Sequence, residues 1–280
     1  MEKLRGNPPR KEVDVKILAL RATGTRVSMR KTAELLQEPV MTVSDHLHAL
    51  GGEYKPIRRN PHTLTTTQKK NRVGMARDLF HLLRDKKKWP RIVTGDETWI
   101  YLNNFGKAEW LLPGEEPTIG AKKQVGDKKL LLTVFFSTSG VHLAEFQPEG
   151  EAVTAQVMCN TFGSIASTLR TDHLHPAWVH MDNARPHVAK LTQLRLKDLH
   201  LCAIKHQPYS PDLSPCDFYL FGYLKGIIGG RIFRDFDEMK RCVIEELHKI
   251  PQKTLRSVYN SWIRCLEECT RNGGEYVHEY

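Results

Sequence analysis

The stretch Val179-His180-Met181-Asp182-Asn183-Ala184-Arg185-Pro186-His187 decides how this chain is read. An apolar run beginning at Ala177 leads into Asp182, the pattern of a short strand that delivers a carboxylate at its own end. The arrangement recurs twice as one works outward. Downstream, Leu201 to Ile204 leads through Tyr209-Ser210-Pro211-Asp212-Leu213-Ser214-Pro215-Cys216 into Asp217. Upstream, Arg91-Ile92-Val93-Thr94-Gly95 runs into Asp96-Glu97. Thirty-four residues lie between Asp182 and Asp217. Any one of these aspartates reads equally well as a helix cap, a turn or a bulge. Three at successive element ends in a basic chain point to metal chemistry, because converging carboxylates repel and a divalent cation reconciles them. Glu97 should face the opposite side of its strand from Asp96, and Asp212, between two prolines, suits a turn.

The chain has 280 residues, of which 40% are hydrophobic, enough for a real core in one large or two smaller domains. A formal net charge of +10 and a pI near 9.3 favour a polyanionic partner, usually nucleic acid. Cysteines at 159, 202, 216, 242, 265 and 269 form no Cys-x-x-Cys pair, which fits reduced thiols better than a disulfide scaffold or zinc ribbon. The start carries no apolar signal core, and no apolar run approaches membrane-spanning length; a soluble protein inside the cell, with no membrane partner, is expected. His173, His175, His180, His187 and His206 match no closed zinc motif.

Residues 1–12 read as a basic arm, with Arg10 and Lys11 able to follow a DNA groove. Residues 13–52 carry three short helical patterns: Val13, Ile17 and Leu20; then Met29, Ala33 and Leu36 behind a Ser28 cap; then Val43, Leu47 and Leu50 behind Thr42-Val43-Ser44-Asp45. That is a helix-turn-helix, whose outer face would offer Ser44, Asp45, His46 and His48 to base edges. Residues 53–88 form a linker with Arg58 and Arg59 as phosphate contacts, then a connecting helix from Gln68 and a charge run, Asp85 to Lys88, read as a helix end. Residues 89–280 form the second domain. Its order is a strand or bulged pair around Asp96, a long loop at about 103–127, a hairpin (130–136 and 141–146), a helix, a strand into Asp182, a helix, a strand, and helices from Asp217 onward. Antiparallel hairpin plus parallel strands gives a mixed sheet flanked by helices, an α/β ribonuclease-H-like arrangement preceded by a small all-α domain. Phosphodiester cleavage there would use two Mg²⁺ ions, Mn²⁺ substituting, held by Asp96, Asp182 and Asp217; His180 shares Asp182's face of the strand, and Arg185 and His187 could contact phosphate.

Three motifs, Val93-Thr94-Gly95-Asp96-Glu97-Thr98-Trp99-Ile100, His180 to His187 and Tyr209 to Phe218, together resemble mariner transposases. The resemblance extends from about residue 13 onward. Pro61-His62-Thr63-Leu64-Thr65 is similar to the family's linker. Trp110-Leu111-Leu112-Pro113-Gly114 is similar to its clamp loop, which implies a dimer contact through Trp110 and Pro113. The resemblance implies cut-and-paste transposition in the nucleus: a homodimer on double-stranded DNA cleaves at inverted-repeat ends and joins them to TA targets, with Asp96, Asp182 and Asp217 as the metal triad. Family members carry two helix-turn-helix units and this sequence has room for one, so weakened end recognition and impaired transposition are expected. Two rivals stand beside this reading. One is a non-catalytic, co-opted DNA-binding protein. The other is a nuclease for RNA–DNA hybrids, which the helix-turn-helix, arm and long loop disfavour.

Overall fold

The computed structural model describes residues 11–22, 29–51, 62–104 and 128–277. They fall into two compact units that divide between 59 and 60. Arg10, Ser28, Arg58, Arg59, Trp110 and Pro113, named above, lie outside the described residues.

The first unit is three helices, α1 (Lys11–Ala22), α2 (Met29–Leu36) and α3 (Val40–Ala49). Val13, Ile17, Ala33 and Val43 are its buried centre, with Met29, Leu36 and Leu47 packed against them. Three sequence expectations are corrected here. Lys11 opens α1 instead of lying in an extended arm, although its side chain stays exposed. The third helix starts behind Pro39, ahead of Thr42, so the expected capping box does not form. His46 takes the buried place expected for Leu50: its Nδ1 lies 2.7 Å from Asp14 Oδ1, whereas Leu50 is exposed. A shared proton with Asp14 satisfies the imidazole inside the unit, so His46 is not offered to DNA, while Ser44 is half-buried and His48 exposed.

The second unit begins with α4 (Thr66–Leu83), started by a capping box in which Thr65 Oγ1 accepts from Gln68 N–H and the Gln68 side chain accepts from Thr65 N–H. Read above as a connector, α4 instead buries Met75, Ala76, Leu79 and Leu83 in this unit's main core. A five-stranded sheet follows, built from β1 (Ile92–Tyr101), β2 (Lys129–Ser137), β3 (Gly140–Phe146), β4 (Ala177–His180) and β5 (Leu201–Ile204) in the order β3-β2-β1-β4-β5. β1, β2 and β3 pair antiparallel, and β1, β4 and β5 parallel. β1 is one continuous strand.

Alternation along β1 sorts side chains to two cores. Ile92 and Ile100 join Leu132, Val134 and Phe136 against α4, α8 (Phe221–Ile227), α9 (Phe236–His248) and α10 (Gln252–Arg271). Val93 joins Phe135 and Val179 against α5 (Ala155–Thr171) and α7 (Lys190–Asp198). Gly95 falls on this second face, where a Cβ would stand 2.1 Å from the Phe135 ring. No side chain fits there without displacing the core, so glycine is what allows the strand to carry Asp96 close over a full-sized phenylalanine. The expected helix after Asp182 is two: α6 (Arg185–Val188), with Pro186 in its first turn, then α7.

Candidate metal and catalytic centre

The register of β1 on β4 places the first two aspartates. Thr94 pairs with His180 in parallel, so Asp96 and Asp182, each two residues further on, stand level with one another; Asp182 lies just past the end of β4, whereas Asp96, expected at a strand end, lies within β1, which runs on to Tyr101. Neighbouring strands lie about 4.8 Å apart. Asp217 arrives from the other layer. Pro211–Leu213 makes a 3-10 turn, and Cys216–Leu220 a single π-helical turn ahead of α8. Buried Leu213 and Cys216 anchor that segment, and the Cys216 side chain is hydrogen-bonded to Thr94. Asp217 thus sits next to a residue that touches the strand carrying Asp96.

The electrostatics record the convergence. Burial, and then the charge of Asp217, push the Asp96 carboxyl up to about 8, with Glu97 and Asp182 adding to the effect against an N–H bond from Glu97. Asp217 keeps an exposed edge, yet desolvation leads in raising its carboxyl, Asp182 adds to the rise, and hydrogen bonds with Ser214 and Asp96 oppose it. Partial burial works to raise Asp182, but His187 and the Ala184 N–H outweigh it and hold the carboxylate below its usual range. Asp182 Oδ1 lies 2.7 Å from His187 Nδ1 and accepts from Ala184 N–H at 2.9 Å.

His187 is therefore not the exposed phosphate contact expected from sequence. It is 4% exposed and clamped between carboxylates, its Nε2 lying 3.3 Å from Glu97 Oε1. Burial disfavours its charge, but the bonds to Asp182 and Glu97 prevail and raise it to about 10, so the ring is an imidazolium at neutral pH. Glu97 does face the side of β1 opposite Asp96, as alternation requires, and α6 brings His187 round to join it to Asp182. Arg185, at the start of α6, is exposed. Behind the triad, His180 Nδ1 meets Thr94 Oγ1 at 3.0 Å and its Nε2 meets His206 Nδ1 at 3.0 Å. Asn183 Nδ2 donates to the His206 carbonyl. Burial holds both imidazoles down, His206 to about 4, so they form a neutral polar floor.

Hard carboxyl oxygens, with Asp96 raised by burial and then by the charge of Asp217, are the donor chemistry that Mg²⁺ or Mn²⁺ takes. The set is a neighbourhood more than a finished cage: among the described residues no three His, Cys, Asp or Glu side chains are gathered closely enough to hold an ion as they stand. One oxygen of Asp182 is turned onto His187, which leaves the other for an ion. Two expectations follow. Ion binding at neutral pH should release about one proton, with apparent affinity rising with pH until about 8 and level above it, because Asp96 must ionise. Calorimetry in two buffers of different protonation enthalpy reads this, and no proton release at pH 7 would contradict it. His187→Ala should weaken ion binding about 10–100-fold by freeing the Asp182 carboxylate to rotate; unchanged affinity would show the contact to be idle.

Comparison with known proteins points to the same chemistry. A family model described as "Transposase (partial DDE domain)" matches residues 100–190, which takes in Asp182 but neither Asp96 nor Asp217. The Mariner Mos1 transposase of Drosophila mauritiana is 27% identical over 295 residues, covering 99% of this chain and 82% of that protein. The Mos1 transposase paired-end complex with left transposon end superimposes with a TM-score of 0.83 at 27% identity, over 99% of this chain and 83% of that one. The chain is similar to mariner transposases. Human histone-lysine N-methyltransferase SETMAR is also similar, 30% identical over 254 residues and 88% of this chain. The chain spans 37% of the length of that human relative. The Mos1 paired-end complex with Mg gives a TM-score of 0.84 at 27% identity.

The greatest gap in the sequence reading lies beside the centre. Asp212, read as a turn residue, does lie in a 3-10 turn, but it is buried and paired with Arg72 of α4, which is fully buried. Arg72 Nη1 and Nη2 donate to Asp212 Oδ1 and Oδ2 at 2.9 and 2.6 Å, and Nε donates to the Gly274 carbonyl at 2.9 Å. Asp212 Oδ2 also accepts from Val277 N–H at 2.9 Å. The available signal was periodicity: Arg72 falls on the stripe of α4 that Met75, Ala76, Leu79 and Leu83 bury.

Proposed function

We propose that the chain is a mariner-type DNA strand transferase, cleaving duplex DNA at transposon ends and joining the freed 3′ ends to TA targets. The supporting observation is geometric: the register of β1 on β4 sets Asp96 level with Asp182, and a π-helical turn held to Thr94 through Cys216 carries Asp217 to the same side. These three residues would hold a pair of Mg²⁺ or Mn²⁺ ions. Such ions, when bound, supply activation of a water or 3′ hydroxyl and stabilisation of the leaving oxyanion.

The chain's own residues do the rest. Asp96 holds a proton at neutral pH that must leave before the carboxylate can serve as a ligand. His187, braced by Glu97, fixes one oxygen of Asp182 and leaves the other for the centre. The neutral floor of Thr94, His180 and His206 supports Asp182 without adding charge beneath it. Exposed Arg185 can reach a phosphate, and α3 presents His48 and part of Ser44 toward solvent for base edges. Mos1 complexes with transposon ends, and with Mn or Mg, support duplex DNA and divalent ions as partners. A homodimer acting on chromosomal DNA in the nucleus completes the reading.

Incubation with supercoiled plasmid carrying the element's ends tests it. Nicking that needs Mg²⁺ or Mn²⁺, followed by joined products at TA, is expected; preference for an RNA–DNA hybrid would refute it. A second reading, DNA binding without chemistry, is favoured by the similarity to a segment of a human protein named for histone methylation. Duplex binding with no cleavage under any divalent ion would select it.

A further inference from the structure

The end of the second unit where β1 begins carries cations that the carboxylate centre does not use. Lys86 to Lys88 lie in a 3-10 turn (Lys86–Arg91) whose Trp89 is buried against Tyr259 of α10, ring centroids 5.7 Å apart. Lys86 Nζ donates to Asn260 Oδ1 at 3.3 Å and stands 5.1 Å over the Trp89 ring, which sets it beside the outer face of α10. That face exposes Lys253, Arg256, Asn260 and Arg264, and no acidic residue appears on α10 before Glu267. Asp85, the nearby carboxylate, is occupied in accepting from Lys87 N–H and in pairing with Lys88. Gln252, Lys253, Arg256, Ser257 and Asn260 line a shallow groove of about 460 Å³. No side chain caps the start of α10, so the positive end of its dipole adds to the same field.

The groove is remote from the triad. The Tyr259 hydroxyl donates to the Ile92 carbonyl at the start of β1, and Trp262, one turn later, packs on His180 and donates to the Leu213 carbonyl. α10 therefore runs along β1 toward the carboxylates, and its first turns lie at the far end. Four residues of strand from Ile92 to Asp96 and six of helix from Lys253 to Tyr259 separate the groove from the triad by roughly 20 Å. Duplex DNA laid across the carboxylate end would have to turn through about its own width to reach Lys253 and Arg256.

We propose that the groove of Lys253 and Arg256, with Lys86 at its rim, docks the phosphate backbone of a second DNA duplex, distinct from the one held at the aspartates. The assignment rests on the transferase reading, in which two DNA molecules must be held by one assembly. Cations spaced along an exposed helix, with backbone N–H groups at its start and no acidic residue on the helix before Glu267, suit a sequence-independent phosphate contact.

The test counts short duplexes per chain at saturation and low salt, using the full chain with fluorescent duplex and no divalent ion. Lys253→Glu/Arg256→Glu should bind one duplex fewer per chain than wild type, with the first binding event unchanged within about twofold and the salt slope of the lost event accounting for about two phosphates. Lys253→Gln/Arg256→Gln should weaken the same event, and both variants should melt as wild type does, since the replaced side chains are exposed. Equal stoichiometry in variant and wild type would overturn the proposal, as would parallel loss of every binding event, which would make the groove part of the primary footprint. Wild type that binds no duplex at all would instead sink the transferase reading itself.

Discussion

Asp182→Ala is expected to remove divalent-dependent nicking of duplex DNA by about 10³-fold or more, the scale seen when a group acting on transition-state charge is lost. The residue is the sharpest of the three to change. Its side chain is 47% exposed, and its recorded partners are local, His187 and the Ala184 N–H, so the fold should survive its removal. Binding of duplex should be equal or tighter, because a negative charge leaves a surface that meets phosphate. Melting temperature, duplex affinity and nicking rate together read the result: the first two held and the third gone. Nicking that persists within tenfold would show that the cleaving centre lies elsewhere.

Arg72→Leu is expected to cost about 3–5 kcal/mol, because it leaves Asp212 buried without its partner. Burial works against the arginine charge, and Asp212 outweighs it and raises the guanidinium pKa, so Arg72 keeps its charge in the fold. The guanidinium also lies 5.0 Å from the centre of the Tyr276 ring and donates to the Gly274 and Glu275 carbonyls. One side chain thus joins α4, the turn before Asp217 and the C-terminal segment. A unit of this size should lose roughly 8–15 °C in melting temperature for that cost. Arg72→Leu combined with Asp212→Leu should recover part of the loss, since no lone charge then remains inside. A single variant that melts within 2 °C of wild type would show that the pair is not what ties these segments. Loss of Arg72 should also weaken cleavage, by loosening the turn that leads to Asp217.

Much of this was legible in the residues because the signals were local. The short strand leading into Asp182, the hairpin around Ser137 to Gly140, and the helix that became α5 each declare themselves within a few positions, whereas β1 runs on past Asp96 where a strand end was expected. Sequence alternation even placed Glu97 on the face of β1 away from Asp96. What it could not show was distance closed by the fold. His187 looked like a surface cation because nothing nearby in sequence says that Glu97, ninety residues earlier, will lie 3.3 Å from its ring. Asp212 looked like a turn residue, and is one; its partner, Arg72, is 140 positions away. His46 looked like a base-reading residue because helical periodicity fixes a face without saying which face a neighbouring carboxylate will claim. In each case the physical cause is the same: a buried polar group must find a partner, and the partner is supplied by tertiary structure.

The most direct measurement is anomalous scattering from Mn²⁺ in crystals of the full chain. The account predicts manganese peaks among the carboxyl oxygens of Asp96, Asp182 and Asp217, with the Asp96–Asp217 hydrogen bond broken and His187 still on Asp182. Manganese bound elsewhere, or aspartates that stay apart with the ion present at saturating concentration, would contradict it.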